Sequence, residues 1–445
     1  MLKYLFIILT LCCCGVTQAK DYYLSLKTAD FSLLTYDFFN ENLNFNSLPE
    51  NRVIDLTFWS ATPSVEIKYD HTSLPIVSHD NETAHLHLKF QQQVKTISFN
   101  IQTNPAHYSQ KYMQRHKGKV SIEIPEVYEL SNIILALSDK FYDTQFKMHS
   151  KGEYYEDMLQ WFAPFKDHDI FTIRDDLNYY SFVENGPAYV FNGDKIQRSH
   201  EYHGFRAKDN INSNISLLED FANKSDFKTF YKLQTSYYAK LSETFRLGAQ
   251  PEYIWRWLES HFPTKYHSLK VFFSPLGPGN NSARQFSNNG FDESILFISA
   301  PNRYENTLDP LPIQFIKFTR SFFTEIDHAY VNPTSDKYID EINAAFTDLS
   351  LWYKGGSYNK PYLVFNEYMT WSLFSLYALE NYPSKDYLFI QRYIQQFMVT
   401  RKGFHQFKAF NQELTRQYRL KTSSQKIVDL YPTIIAWIKN YSINS

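Results

Sequence analysis

The chain has 445 residues, of which 45 are basic and 47 acidic, for a formal net charge of −2. That balance does not attract a polyanion, which excludes nucleic acid as an expected partner. A chain of this length buries enough apolar surface to fold without disulfides, and the length suggests two or three domains.

Residues 1–19 read as a secretion signal: Lys3 gives a positive start, Leu5 to Cys14 an apolar run too short to span a bilayer, and Thr17-Gln18-Ala19 a small-residue cleavage site after Ala19. This predicts a secreted or periplasmic protein. A lipoprotein signal is the rival reading, but the residue before Cys12 is Leu11, which is bulky for a lipobox. All three cysteines lie in this segment, so the chain beyond it offers no thiolate for a metal or a disulfide. No later run is apolar enough to predict an integral membrane segment. Aromatic residues make up 18% of the chain and read as a large aromatic core.

Residues 20–120 are expected to be β-rich. Val53 to Phe58 and Ala84 to Phe99 carry β-branched and aromatic residues between Asn, Asp, Pro and Ser clusters. His85 and His87 alternate there on one strand face, a pattern that reads as a solvated face before it reads as a metal site. Residues 121–445 read as mainly helical. Apolar spacing begins at Val127 to Leu137 and continues at 153–162, 214–222, 225–246, 251–261, 313–331, 337–352, 362–382, 386–416 and 424–441. Asp167-His168-Asp169 reads as a turn or buried polar contact, and His200, Glu201 and His203 read as loop. Leu269 to Phe273 and Ser294 to Ser299 are strand candidates, separated by a Pro-Gly-rich loop that lacks any phosphate-binding spacing. The expected fold class is therefore α+β: a β-rich N-terminal region, then a mainly helical domain with a small sheet.

The chemistry concentrates in the 313–331 helix. Phe315, Phe318, Phe322, Ile326 and Ala329 form one apolar stripe, and Asn332-Pro333 is expected to end the helix. Within it, Thr324-Glu325-Ile326-Asp327-His328 is an H-E-x-x-H zinc-hydrolase motif with threonine at its first position. The intact motif sets two histidines one turn apart around zinc and places a glutamate to activate the bound water. Glu367 is the next acid on a strongly apolar helix, in the run Phe365-Asn366-Glu367-Tyr368. Glu325, His328 and Glu367 are thus three points of one expected site.

The run Glu325 to Pro333 resembles a family of secreted, largely uncharacterised bacterial proteins regarded as zinc metallopeptidases of the gluzincin type. Further echoes are Glu126 to Leu130, Tyr155 to His168 and Phe227 to Tyr238. The resemblance covers roughly 120–385. It implies a zincin-like helical domain, a zinc or other divalent metal, and hydrolysis of a peptide or protein substrate. Thr324 departs from the family pattern, and three readings follow. Glu325 becomes a ligand beside His328 and Glu367. Or His328 and Glu367 hold the metal alone with Glu325 as base. Or the chain is a pseudoenzyme that kept the fold for binding and lost the metal. Asp327 is placed as support for Thr324 or His328, or as a solvated or capping acid. Tyr330 and Tyr368 are the candidates for stabilising an oxyanion.

Overall fold

The computed structural model describes residues 20–35, 40–58, 64–69, 72–77, 83–103, 106–138, 146–206, 208–305 and 309–444. The expected signal segment lies outside the described residues. Helix accounts for 54% and strand for 20%, and the class is α+β as expected, with strands first and a mainly helical region with a small sheet after them. The chain divides into two compact units, 1–104 and 105–445.

The first unit is built from β1 (Lys20–Ser25), β2 (Asp30–Thr35), β3 (Asn40–Asn44), β4 (Asn51–Phe58), β5 (Ser64–Tyr69), β6 (Thr72–Val77), β7 (Thr83–Phe90) and β8 (Gln93–Thr103). They form two four-stranded sheets, ordered β1-β7-β8-β4 and β3-β2-β5-β6. The period-two alternation of β7 decides its faces. Ala84, Leu86 and Leu88 join Leu33, Val65, Ile67, Ile97 and Phe99 in one buried cluster. His85 and His87 take the opposite face and hydrogen-bond their cross-strand partners, Ser98 at 2.8 Å and Thr96 at 3.1 Å. His87 also meets Asp21 at 3.1 Å. The H-x-H pattern is a cross-strand ladder.

The second unit carries β9 (Val120–Glu123), β10 (Tyr189–Asn192), β11 (Lys195–Arg198), β12 (Ser268–Phe272), β13 (Ser282–Asn288) and β14 (Phe291–Phe297). Its helices are α1 (Gln110–His116), α2 (Glu126–Leu137), α3 (Glu153–Phe162), α4 (Asn210–Ser213), α5 (Ile215–Lys224), α6 (Phe227–Leu233), α7 (Thr235–Ala249) and α8 (Pro251–His261), then α9 (Leu311–Ile326), α10 (His328–Ser335), α11 (Ile339–Ala345), α12 (Leu349–Trp352), α13 (Pro361–Asn381), α14 (Ser384–Gln396), α15 (Phe407–Leu420) and α16 (Tyr431–Asn444). No helix among the described residues is long and apolar enough to cross a membrane.

The sheet runs β13-β14-β12-β9. β9, β12 and β14 are parallel, and β13 is an antiparallel edge. β12 is buried along its whole length, as a parallel strand covered on both faces must be. The sheet also buries a carboxylate: Glu293 on β14 accepts hydrogen bonds from Tyr108, Tyr112, Tyr202 and Ser268 at 2.6 to 3.0 Å. Four donors substitute for the water that burial removes.

Four expected helices are broken, among them 337–352, which divides into a 3-10 turn, α11 and α12 with residues 346–348 between the last two. The 225–246 helix divides at Gln234 into α6 and α7. The 386–416 helix is interrupted by a π-turn over Phe397–Arg401 and by Gly403 at φ 82, a left-handed backbone that suits glycine. The 313–331 helix ends at Ile326, and α10 starts at His328. Pro333 does not end α10 but lies inside it.

Phe318 and Phe322 lock α9 to α7 by edge-on packing against Phe245 at 5.0 and 5.3 Å. Phe322 is fully buried, so Phe322→Ala is expected to cost about 3–5 kcal/mol. Leu247→Ala, at a side chain 68% exposed, is expected to stay within about 0.5 kcal/mol. Chemical denaturation followed by tryptophan fluorescence compares the two.

Candidate functional site

The site forms where α13 crosses the α9–α10 junction. Asp327 sits at that junction with helical dihedrals, φ −73 and ψ −20, so the chain bends without leaving the α region. Its amide still bonds Phe323 O, while the Tyr330 and Val331 amides converge on its carbonyl at 2.9 and 2.8 Å. The bend keeps Glu325 and His328 on neighbouring faces. α13 starts at Pro361 in its first turn and buries nearly all of its central residues, leaving Glu367 partly accessible among them.

The crossing brings His328 Nε2 to 3.8 Å from Glu367 Oε1, with side chains 25% and 12% exposed. On the other side of the imidazole, Nδ1 faces Asn332 Oδ1 at 3.5 Å. Glu325 is partly accessible beside them. Burial, and then the negative charge of Glu367, push the Glu325 carboxyl up to about 8, against the opposing pull of Lys402 and Arg320. The shift favours the neutral acid. Of the three residues expected to meet, His328 and Glu367 approach each other, and Glu325 lies within electrostatic reach of Glu367.

Their neighbours differ from expectation. Thr324 is only 4% exposed, and its hydroxyl donates back to Ser321 O at 3.4 Å, a long bond of the kind a buried helical threonine makes. Asp327 is not a solvated cap. It is fully buried, both carboxylate oxygens lack a hydrogen-bond partner of ordinary geometry, and Thr370 and the His328 amide are its nearest polar company. Burial, reinforced by the charges of Glu325 and Glu367, holds its carboxyl well above the usual range.

The oxyanion role considered for Tyr330 and Tyr368 is not compatible with where they lie. Tyr368 is fully buried, donates to Trp352 O at 2.8 Å and accepts from the Gln406 amide at 3.1 Å. Tyr330 packs away from the site against Phe262 and Tyr266. The phenol that does face the carboxylates is Tyr358, raised first by burial and then by the charge of Glu367, with Glu325 contributing. It sits in the loop Gly355-Gly356-Ser357-Tyr358, where no periodicity signals it. His168 is held as a turn contact, bonding the Ile170 amide and Asp220 at 3.1 and 3.0 Å. His203 packs edge-on against His107.

A catalytic zinc centre needs three protein donors converging on one point. Among the described residues no group of three or more His, Cys, Asp or Glu side chains is arranged to hold a metal ion. His328 and Glu367 offer two donors. Thr324 turns its hydroxyl into its own helix, and no further donor converges with the pair among the described residues. The residues present do not fit a three-ligand zinc site. As it stands, the cluster offers a carboxyl donor, an imidazole–carboxylate pair and a phenol, all suited to hydrogen-bonding a polar ligand.

Comparisons of the chain with protein-family models, with curated proteins and with solved structures each return no match.

The Glu325 proton gives a signed pH effect. The folded chain keeps that proton up to about pH 8, whereas an unfolded glutamate releases it near 4.5. Raising the pH between those values therefore favours the unfolded chain. Thermal melting from pH 5 to 8 is expected to show falling stability in the wild type and a flatter profile in Glu325→Gln.

Proposed function

We propose that this is a metallopeptidase-like protein that engages a peptide or protein ligand without catalytic zinc, acting outside the cytoplasm as the 1–19 segment suggests. The observation that carries this reading is geometric: among the described residues only His328 and Glu367 converge as donors, while Thr324 turns its hydroxyl back into its own helix. Burial and the Glu367 charge also raise the Glu325 carboxyl, which weakens it as an anionic metal ligand. The likeness of the Glu325 to Pro333 run to secreted zinc peptidases supports the ancestry, and the altered position at Thr324 supports the loss of chemistry.

The edge strand supports a peptide as the ligand. β13 ends the sheet and touches both α9 and α10, so an extended segment added along it would run past the site. Its residues Ser282 to Gln285 are partly accessible.

A second reading keeps metal-dependent peptide-bond hydrolysis. The 3.8 Å between His328 Nε2 and Glu367 Oε1 favours it, because two ligands of one tetrahedral zinc stand about 3.4 Å apart. Elemental analysis of untagged protein, paired with a peptide-hydrolysis assay, separates the two. The proposal expects far less than one zinc, manganese or iron per chain and no hydrolysis, with zinc bound at near one per chain once Thr324→His restores the third donor. Stoichiometric metal in the wild type, with hydrolysis abolished in Glu325→Gln, would establish the second reading instead.

A further inference from the structure

Arg320 lies one turn before Thr324 on α9, and its Nε has no acceptor among the described residues. Its carbon centre stands 4.8 Å over the Trp371 ring and 5.7 Å from Phe397. Its Nε is sealed from solvent without a hydrogen-bond partner. Among the described residues no carboxylate pairs with it within ion-pair distance, although the side chain is partly accessible. The nearby acids do not answer it. Neither Glu325 nor Glu367 forms an ion pair with it, and Glu367 faces His328.

The position ties Arg320 to the site. Trp371 follows Glu367 by four residues on α13, about 6 Å of helix rise, so Arg320 and the His328–Glu367 pair lie along one α9–α13 seam. Lys402, close behind Phe397 in the chain, acts on Glu325 as Arg320 does and adds positive charge to this end. A guanidinium held flat by aromatic rings keeps its N–H edge in a fixed fork, the geometry that takes a carboxylate through two parallel hydrogen bonds.

We propose that Arg320 is a carboxylate anchor: it receives the C-terminal carboxylate of a bound peptide, with Trp371 and Phe397 holding the guanidinium in plane. The anchor rests on the peptide-binding reading above. It adds polarity, because the chain terminus would sit at Arg320 and the preceding residues would pass Glu325 and Tyr358.

The test uses a fluorescein-labelled hexapeptide pool of mixed sequence, made once with free C-terminal carboxylates and once as C-terminal amides. Binding to the full chain is read by fluorescence polarisation. The free-acid pool is expected to bind the wild type about tenfold or more tighter than the amide pool, as loss of one charge-assisted bidentate pair implies. That preference should vanish in Arg320→Gln and persist in part in Arg320→Lys, with thermal melting checking that each variant folds. Equal binding of both pools to the wild type, or a preference that survives Arg320→Gln, would overturn the anchor while leaving peptide binding intact. A preference carried by amidated peptides containing Glu or Asp would move the contact to an acidic side chain and overturn the C-terminal assignment. Binding of neither pool would remove the peptide-binding reading and the anchor together.

Discussion

Carboxyl groups crowded into one apolar helix crossing set the terms for the rest of this site. Glu325, Asp327 and Glu367 come from α9, the junction and α13, in surroundings that exclude most water. Like charges at close range in such a medium cannot all be ionised. Here burial, together with the charges of neighbouring carboxylates, raises the Glu325 and Asp327 carboxyls above their usual range. A metal ion could satisfy the same crowding by charge, but that solution needs a third convergent donor. Thr324 supplies a hydroxyl turned the other way. The same crowding favours protonated carboxyl groups where no ion is present.

The rest of the second unit handles buried charge with phenols. Glu293 is satisfied by three tyrosines and a serine, and Glu129, pushed by burial up to about 7, takes a hydrogen bond from Tyr154 at 2.6 Å. The high aromatic content reads in the structure as core that carries its own donors. Tyr368 belongs to the same device, joining Trp352 to Gln406. A tyrosine near a motif is thus weak evidence of catalysis in a chain with 34 of them.

Much of this was legible from residue spacing. The α+β class, α3, α8, α13 and the approach of Glu367 to His328 follow from apolar periodicity and from two isolated acids on apolar helices. What spacing misses has identifiable causes. The bend at Asp327 keeps helical dihedrals and leaves the period almost unbroken, so nothing in the pattern marks it. β13, with the run Ser-Ala-Arg-Gln-Phe-Ser-Asn, is an edge strand without the alternation that a half-buried strand shows. Tyr358 reaches the site from an irregular loop. Arg320 looks like an ordinary polar residue in the helical pattern, and its lack of a partner exists only in three dimensions.

The protonation of Glu325 is the claim most open to direct measurement. Infrared difference spectroscopy between the wild type and Glu325→Gln, recorded from pH 6 to 9, isolates that one carboxyl group. The account predicts a protonated-carboxyl band at pH 7 that gives way to a carboxylate band as the pH passes about 8. A carboxylate band already complete at pH 6 would mean that Glu325 is charged and available as base or ligand, and the account of this site would be wrong.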